Sequence, residues 1–255
     1  MQRDPIRVCV AGVTGWTGSA VAAAVREASD LDLVAGVSRS DADSYSSVAD
    51  ALAAAGTDVL VDYTHAEAVK ENVSTAIARG VNVVVGSSGL SADDYAEIDQ
   101  AAREKGVGVV AAGNFSITAA VLLKAAIDAA RHLDAWEVID YASATKADAP
   151  SGTARELAER LAEVRAPALP VPIDDVLGQR EARGASVAGS QIHSLRLPSF
   201  VVSTEVVFAA PGERLSVRHD AGETPAPYVA GTLLAIRSVV GRTGLTRGLD
   251  RLLGA

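Results

Sequence analysis

The sequence predicts an α/β fold, with an N-terminal half built on a parallel sheet and a C-terminal α+β half built on a mixed sheet. Three observations predict it. Short β-branched runs alternate with helical stretches over the first 115 residues, the pattern of βαβ units covered on both faces. Three glycines, Gly12, Gly15 and Gly18, fall where the first strand-like run meets the first helical one. Beyond residue 135 the strand-like runs lengthen and follow one another, as in a mostly antiparallel sheet.

Strands are expected at Ile6–Ala11, Leu31–Val37, Asp58–Tyr63, Val81–Gly86 and Val107–Ala112, each rich in Val, Ile or Leu. The first helix is expected over Ser19–Ala28. Another begins at Ser91, where Asp94 three residues on resembles a capping box, and Gly106 can close it in the left-handed region. Gly80 closes the helix after His65 in the same way. A 3.6-residue period runs through Ser116–Ala130, where Val121, Leu122, Ile127 and Ala130 keep one apolar side. Trp136–Tyr141 reads as a strand, Ser151–Val164 as a helix, and Arg165–Asp175, with three prolines, as a loop. Gln191–Leu197, Phe200–Ala209 and Arg214–His219 read as strands, and Tyr228–Val240 as a last helix before a short tail. Two lobes follow: residues 1–115, with 228–255 packing back on them, and residues 116–227.

Composition narrows the function. With 23 Lys and Arg against 32 Asp and Glu, the chain carries a formal charge of −9. No basic run offers a surface to nucleic acid or an anionic membrane. The longest apolar runs fall far short of the roughly 20 residues that span a bilayer, and Met1–Pro5 lead into a strand rather than an apolar export signal. Cys9 is the only cysteine and sits between two valines, a small buried hydrophobe in a reducing compartment. A cytoplasmic protein without disulfides or metal-ligand clusters is expected.

The chemistry begins at Gly12-Val13-Thr14-Gly15-Trp16-Thr17-Gly18. Glycines at a strand-to-helix turn let backbone approach a pyrophosphate, whose charge the amides and dipole of the helix start stabilise. The alternative is a simple tight turn. At the end of the second strand, a carboxylate would grip a ribose 2′-hydroxyl; here stand Ser38 and Arg39, a hydroxyl and a guanidinium suited to a phosphate dianion. NADPH is therefore expected over NADH, the alternative being a solvated surface arginine. A third constellation, Lys146-Ala147-Asp148-Ala149-Pro150-Ser151-Gly152-Thr153, precedes a helix. Hydroxyls of Ser151 and Thr153 and the unhindered amide of Gly152 make a carboxylate-sized cradle, with Lys146 supplying charge or a proton. An ordinary capped helix would look similar.

Taken in order, the glycine turn, Asp62-Tyr63-Thr64, Gly86-Ser87-Ser88-Gly89, Asn114-Phe115-Ser116, the Lys146–Ala154 segment and Ile192-His193-Ser194-Leu195-Arg196-Leu197-Pro198 resemble dihydrodipicolinate reductases, enzymes of bacterial lysine biosynthesis. The resemblance covers nearly the whole chain. It implies an N-terminal Rossmann domain, a C-terminal substrate and oligomerisation domain that assembles a homotetramer, and hydride transfer from NAD(P)H to a cyclic C=N bond. By position it carries cofactor binding onto Gly12 to Gly18, Ser38, Arg39, the loop of Gly86, Ser87 and Ser88, and the loop of Ala112, Asn114 and Phe115. Substrate binding falls on Lys146, Ser151, Gly152 and Thr153, with Lys146 catalytic.

The departures bear on chemistry. The family pattern His-His-x-x-Lys, counted back from Lys146, meets Ala142 and Ser143, so the imidazoles that donate a proton and hold substrate are absent. Where many members carry a basic residue in the glycine turn, Thr14 and Trp16 stand, and Ile117-Thr118-Ala119-Ala120 replaces the usual Val-Gly-Val-Asn. Tyr141, on the same strand side as Ser143, is an alternative proton donor. The expected function is reduction of a small cyclic imine or dicarboxylate substrate. The alternatives are a genuine 4-hydroxy-tetrahydrodipicolinate reductase of reduced turnover and a non-catalytic NADPH sensor.

Overall fold

The computed structural model describes residues 4–254; residues 1–3 and 255, the outermost ends of the first expected lobe, lie outside them. The described chain forms two compact units, one of residues up to Ile117 together with those from Pro225 onward, the other Thr118–Thr224. In chain order the elements are β1 (Ile6–Ala11), α1 (Trp16–Glu27), β2 (Leu31–Val37), α2 (Val48–Ala54), β3 (Val59–Asp62), α3 (Val69–Ala78), β4 (Asn82–Val85), α4 (Ala92–Lys105), β5 (Gly108–Ala111), α5 (Ile117–Ala130), β6 (Ala135–Ser143), α6 (Gly152–Ala162), β7 (Ala185–Val187), β8 (Ser190–Leu197), β9 (Val202–Ala210), β10 (Glu213–Asp220), α7 (Ala226–Val239) and β11 (Gly244–Arg247).

The first unit holds a six-stranded parallel sheet in the order β11-β5-β4-β3-β1-β2. Its central strands are buried on both faces, as a parallel sheet sandwiched by helices requires: Val8 to Ala11, Val59 to Val61 and Val83 to Val84 show no exposed surface. Cys9 lies in this core, where burial, with Asp62 nearby, pushes its thiol up to about 12, as befits a cysteine that packs as a small hydrophobe. The strand order reverses at β1, with β2 on one side and β3 on the other. Such a switch point leaves a crevice beyond the strands' carboxyl ends, where ligands bind in open α/β sheets. The turns after β1 to β5 all open on that edge.

The second unit holds a five-stranded sheet in the order β10-β9-β6-β8-β7. Only β6 and β8 run parallel; the other pairs are antiparallel. Along β6, Trp136, Val138, Asp140 and Ala142 are buried while the residues between them are partly exposed, the alternation of a sheet with one covered face. Trp136 and Val138 meet Leu157, Leu161, Leu123 and Phe208 in the core of this unit.

The fold class is the one expected. Besides β7, a three-residue strand that pairs antiparallel with β8, two elements were missed. The expected tail carries β11, which pairs in parallel with β5 from Gly244 beside Gly108 to Arg247 beside Ala111. Its four residues are too short to show a period. The other, α2, is a seven-residue helix whose Ser47 cap accepts from the Asp50 amide, inside a stretch rich in alanine and serine. No described helix is long and apolar enough to cross a membrane.

Candidate active site

The glycine turn is dictated by contact as much as by conformation. Gly12 has φ +80°, and a Cβ there would lie 2.3 Å from the Tyr63 carbonyl oxygen. A Cβ on Gly18 would lie 2.0 Å from the Gly12 carbonyl oxygen, so only hydrogen lets α1 close on the turn. Gly15 caps α1 in extended geometry with no side-chain cap. The amides of the first helical turn, at Trp16 and Thr17, are thus left without a side-chain oxygen, as a pyrophosphate site needs.

Beside the turn, the hydroxyls of Thr14 and Ser38 stand 2.8 Å apart and those of Ser38 and Ser40 3.1 Å apart. Arg39 donates from Nη2 to Nε2 of His65 at 2.7 Å. The next two loops are tied to Asp62, fully buried at the end of β3. Its carboxylate accepts from the Thr64 amide and hydroxyl, from Asn72 Nδ2 and from the Ser87 hydroxyl. Ser88 beyond is exposed. Asn114 Oδ1 accepts from the Ser116 amide at 2.8 Å, shaping the loop that leaves β5 from Ala112. The Phe115 side chain is buried, edge-on to Tyr63 at 6.1 Å. Tyr63 in turn shares a 2.6 Å hydrogen bond with Thr232, and burial raises its hydroxyl far above the ordinary phenol value. Trp16 is half exposed, 5.9 Å from the Tyr228 ring. All the cofactor residues read from sequence therefore lie on the carboxyl edge of one sheet. They fit a dinucleotide: close glycine contacts, an open helix start and no carboxylate among residues 38–40.

The cradle belongs to the second unit. Ser151 caps α6, its hydroxyl accepting from the Ala154 amide at 3.3 Å. Nothing lies within 4 Å of where a Cβ on Gly152 would point, so the helix start has room beside it. Thr153 follows, partly exposed. Lys146 forms an ion pair with Asp148 at 2.7 Å, and its amide donates to the Ser143 carbonyl. The Ser143 and Thr145 hydroxyls are 3.0 Å apart. Tyr141 is committed elsewhere. Its hydroxyl donates to Glu205 at 3.2 Å and Arg218 lies over its ring at 4.7 Å. Burial, then Glu205, raises its hydroxyl above the ordinary phenol value, which counts against a proton donor near neutrality.

Sequence reasoning gave no role to Asp62, Asp140 or Arg196, and read His65, after the third strand, as structural. Asp62 and Arg196 sit inside motifs read for family resemblance, and a carboxylate closing an apolar strand was the available signal. Nothing local marks His65 as the partner of a residue 26 positions away. Among the described residues no cluster of His, Cys, Asp or Glu could hold a metal ion.

Two family models match end to end, "Dihydrodipicolinate reductase, N-terminus" over residues 6–115 and "Dihydrodipicolinate reductase, C-terminus" over residues 118–253. The chain belongs to the dihydrodipicolinate reductase family. It is 40% identical to the 4-hydroxy-tetrahydrodipicolinate reductase of Cutibacterium acnes over 98% of this chain and 99% of that one. The reductase of Mycolicibacterium smegmatis is 37% identical over 97% and 99%. Among solved structures, the dipicolinate-bound dihydrodipicolinate reductase of a Paenisporosarcina species superposes with TM-score 0.77 at 27% identity, covering 97% of this chain and 99% of that one. GenD2 of gentamicin biosynthesis, solved with NAD, shares the fold at TM-score 0.68 and 17% identity, over 99% of this chain and 91% of that one. This chain has the glycine turn at Gly12 to Gly18 and the segment from Lys146 to Thr153, with Ala142 and Ser143 four and three residues before Lys146.

Proposed function

We propose that this dihydrodipicolinate reductase family member is an NADPH-dependent reductase acting on the C=N bond of a small cyclic imine. The first unit holds the dinucleotide and the second the substrate. What carries the reading is that a chain matched to the family over both units keeps an open, ion-flanked cradle at Gly152, which a protein that merely senses a dinucleotide does not need. The reduced nicotinamide supplies the hydride when bound. Gly12, Gly15 and Gly18 admit the pyrophosphate, with the Gly86–Ser88 and Ala112–Phe115 loops lining the same edge. The hydroxyls of Thr14 and Ser38 and the Arg39 guanidinium receive a 2′-phosphate, for which no carboxylate competes.

In the cradle, the Gly152 and Thr153 amides and the Ser151 side take the substrate carboxylate, while Lys146 lends positive charge next to the C=N bond. Ala142 and Ser143 put no titratable side chain beside it. A basic imine that arrives protonated is already electrophilic and needs no enzyme acid, so this is the class the site suits. A second reading, 4-hydroxy-tetrahydrodipicolinate reduction with reduced turnover, is favoured by the 40% identity to the Cutibacterium acnes enzyme. Family membership also supports a homotetramer, checked by light scattering of the eluting protein. The deciding experiment follows loss of NADPH absorbance with a panel of cyclic imines that includes dihydrodipicolinate. Turnover of the basic imines is expected, and no turnover of any member would refute the reading.

A further inference from the structure

The segment that joins β6 to α6 carries Lys146, Asp148 and the cradle residues, yet residues 144–151 belong to neither strand nor helix. Hydrogen bonds tie its backbone down at Lys146, Asp148 and Ser151. The Lys146 amide donates to the Ser143 carbonyl at 3.0 Å. The Asp148 carbonyl accepts from Arg196 Nη2 at 2.6 Å. The Ser151 amide donates to Asp140 Oδ2 at 2.9 Å. Two of the three anchors are one ion pair, because the same Arg196 Nη2 lies 2.9 Å from the same Asp140 Oδ2. The Ser194 hydroxyl adds a further bond to that oxygen at 3.0 Å.

The pair is not built for stability. Asp140 is fully buried and Arg196 nearly so, with 0% and 16% of their side-chain surface exposed. Within the described residues, Asp140 Oδ1 and Arg196 Nε are buried without a hydrogen-bond partner. Burying two charges is worthwhile only when every polar atom is satisfied; apolar residues of like volume often do as well or better. An incompletely satisfied pair under a binding segment is therefore retained for where it puts that segment.

We infer that Asp140 and Arg196 are positioning residues that set the Lys146 ammonium at a fixed distance from the start of α6. The inference rests on the reading of that start as the substrate's carboxylate cradle. Arg196 fixes the chain two residues beyond Lys146, and Asp140 fixes it one residue before Gly152. The two atoms that must grip one substrate are thereby held from one buried carboxylate. Neither Asp140 nor Arg196 needs to touch the substrate to do so.

The test compares the unmodified protein with Arg196→Met and with the double variant Asp140→Asn, Arg196→Met, each saturated with NADPH. The readouts are kcat and KM for the best imine, the dissociation constant of pyridine-2,6-dicarboxylate by calorimetry, and that of NADPH. The single variant is expected to raise KM and the dicarboxylate constant together, about 10-fold or more, with kcat and NADPH affinity within about threefold. Asp140→Asn in the double variant removes the stranded carboxylate charge, so thermal stability should recover while KM stays high. That separation is what a merely structural role would not produce. If KM and dicarboxylate affinity return to the starting values along with stability, the inference is overturned. If the unmodified protein binds NADPH but neither dicarboxylate nor any imine, the cradle reading itself falls and takes the inference with it.

Discussion

Arg39 Nη2 and His65 Nε2 lie 2.7 Å apart, and this bond joins the turn after β2 to the turn after β3. The guanidinium of this exposed arginine is thereby tied to the neighbouring turn, one residue on from Ser38, whose hydroxyl lies beside those of Thr14 and Ser40. Charge-assisted hydrogen bonds to a phosphate contribute about 1.5–3 kcal/mol. NADPH should therefore bind about 10-fold or more tightly than NADH in the unmodified protein. Arg39→Ala should erase most of the gap and leave NADH affinity nearly unchanged. His65→Ala should remove a smaller part of it, since the guanidinium stays but is no longer held. Fluorescence titration of both cofactors against the three proteins checks this, and equal constants in the unmodified protein would sink it.

The close contact of Gly18 with the Gly12 carbonyl gives a sharper test. A methyl group at Gly18 would meet a backbone oxygen at 2.0 Å, and backbone cannot rotate aside as a side chain can. Either α1 shifts away from the turn or the turn opens, and both disturb the amides that face the pyrophosphate. Gly18→Ala should cost about 1–3 kcal/mol of stability and weaken both dinucleotides alike. Gly152→Ala, where a Cβ meets nothing, should leave the melting temperature within about a degree and raise KM for the imine only. A Gly18→Ala protein with unchanged cofactor affinity would show that the glycine serves packing alone.

These two cases mark what the sequence could and could not disclose. Strand-to-helix glycines, the box at Ser91 and Asp94 and the cap at Ser151 are local: spacing and residue type dictate them, and the structure shows both bonds of the box and the Ser151 cap. The links that shape the candidate site are not local. Asp140 and Arg196 are 56 positions apart and meet only because β6 and β8 pair in parallel, Ala142 lying beside Arg196. Nor could alternation alone rule on Tyr141: it gave the strand face correctly but not the Glu205 and Arg218 waiting there.

His219 supplies a pH dependence of stability. It is buried at the end of β10, and burial pulls its imidazole below the ordinary value, only partly opposed by Asp220. In the unfolded chain it titrates near 6.5. Between that value and the lower folded one, the unfolded state holds more protons, so stability rises with pH across the window. The contribution is complete above about pH 6.5 and is lost as pH falls through the window to the folded value. Melting temperature should thus decline from pH 7 toward pH 5.5, and His219→Gln should flatten that decline. A variant whose pH profile parallels the unmodified protein would refute this assignment.

The two positions where the resemblance expects histidines are not equivalent. Ala142 is fully buried on the covered side of β6, between Arg196 and Val202 of its neighbours, whereas Ser143 is partly exposed and its hydroxyl meets the Thr145 hydroxyl at 3.0 Å and the Thr145 amide at 3.3 Å. An imidazole at 142 must displace packed atoms and bury polar nitrogens, so Ala142→His should destabilise by about 1–3 kcal/mol. An imidazole at 143 has an open side and can titrate near neutrality. A positioned general acid contributes about 10²–10⁴ in rate, and one rebuilt without its supporting partners should recover only a fraction. Ser143→His should raise kcat/KM several-fold for dihydrodipicolinate, which needs a proton, and scarcely at all for a basic imine that brings its own. The effect on the weakly basic substrate should follow the protonated imidazole, falling as pH rises through about 6.5. The measurement is kcat/KM for both substrates between pH 5.5 and 8.5 in the unmodified and Ser143→His proteins. Equal gains on the two substrates, or family-typical turnover of dihydrodipicolinate before any change, would mean that Lys146 or ordered water already delivers the proton.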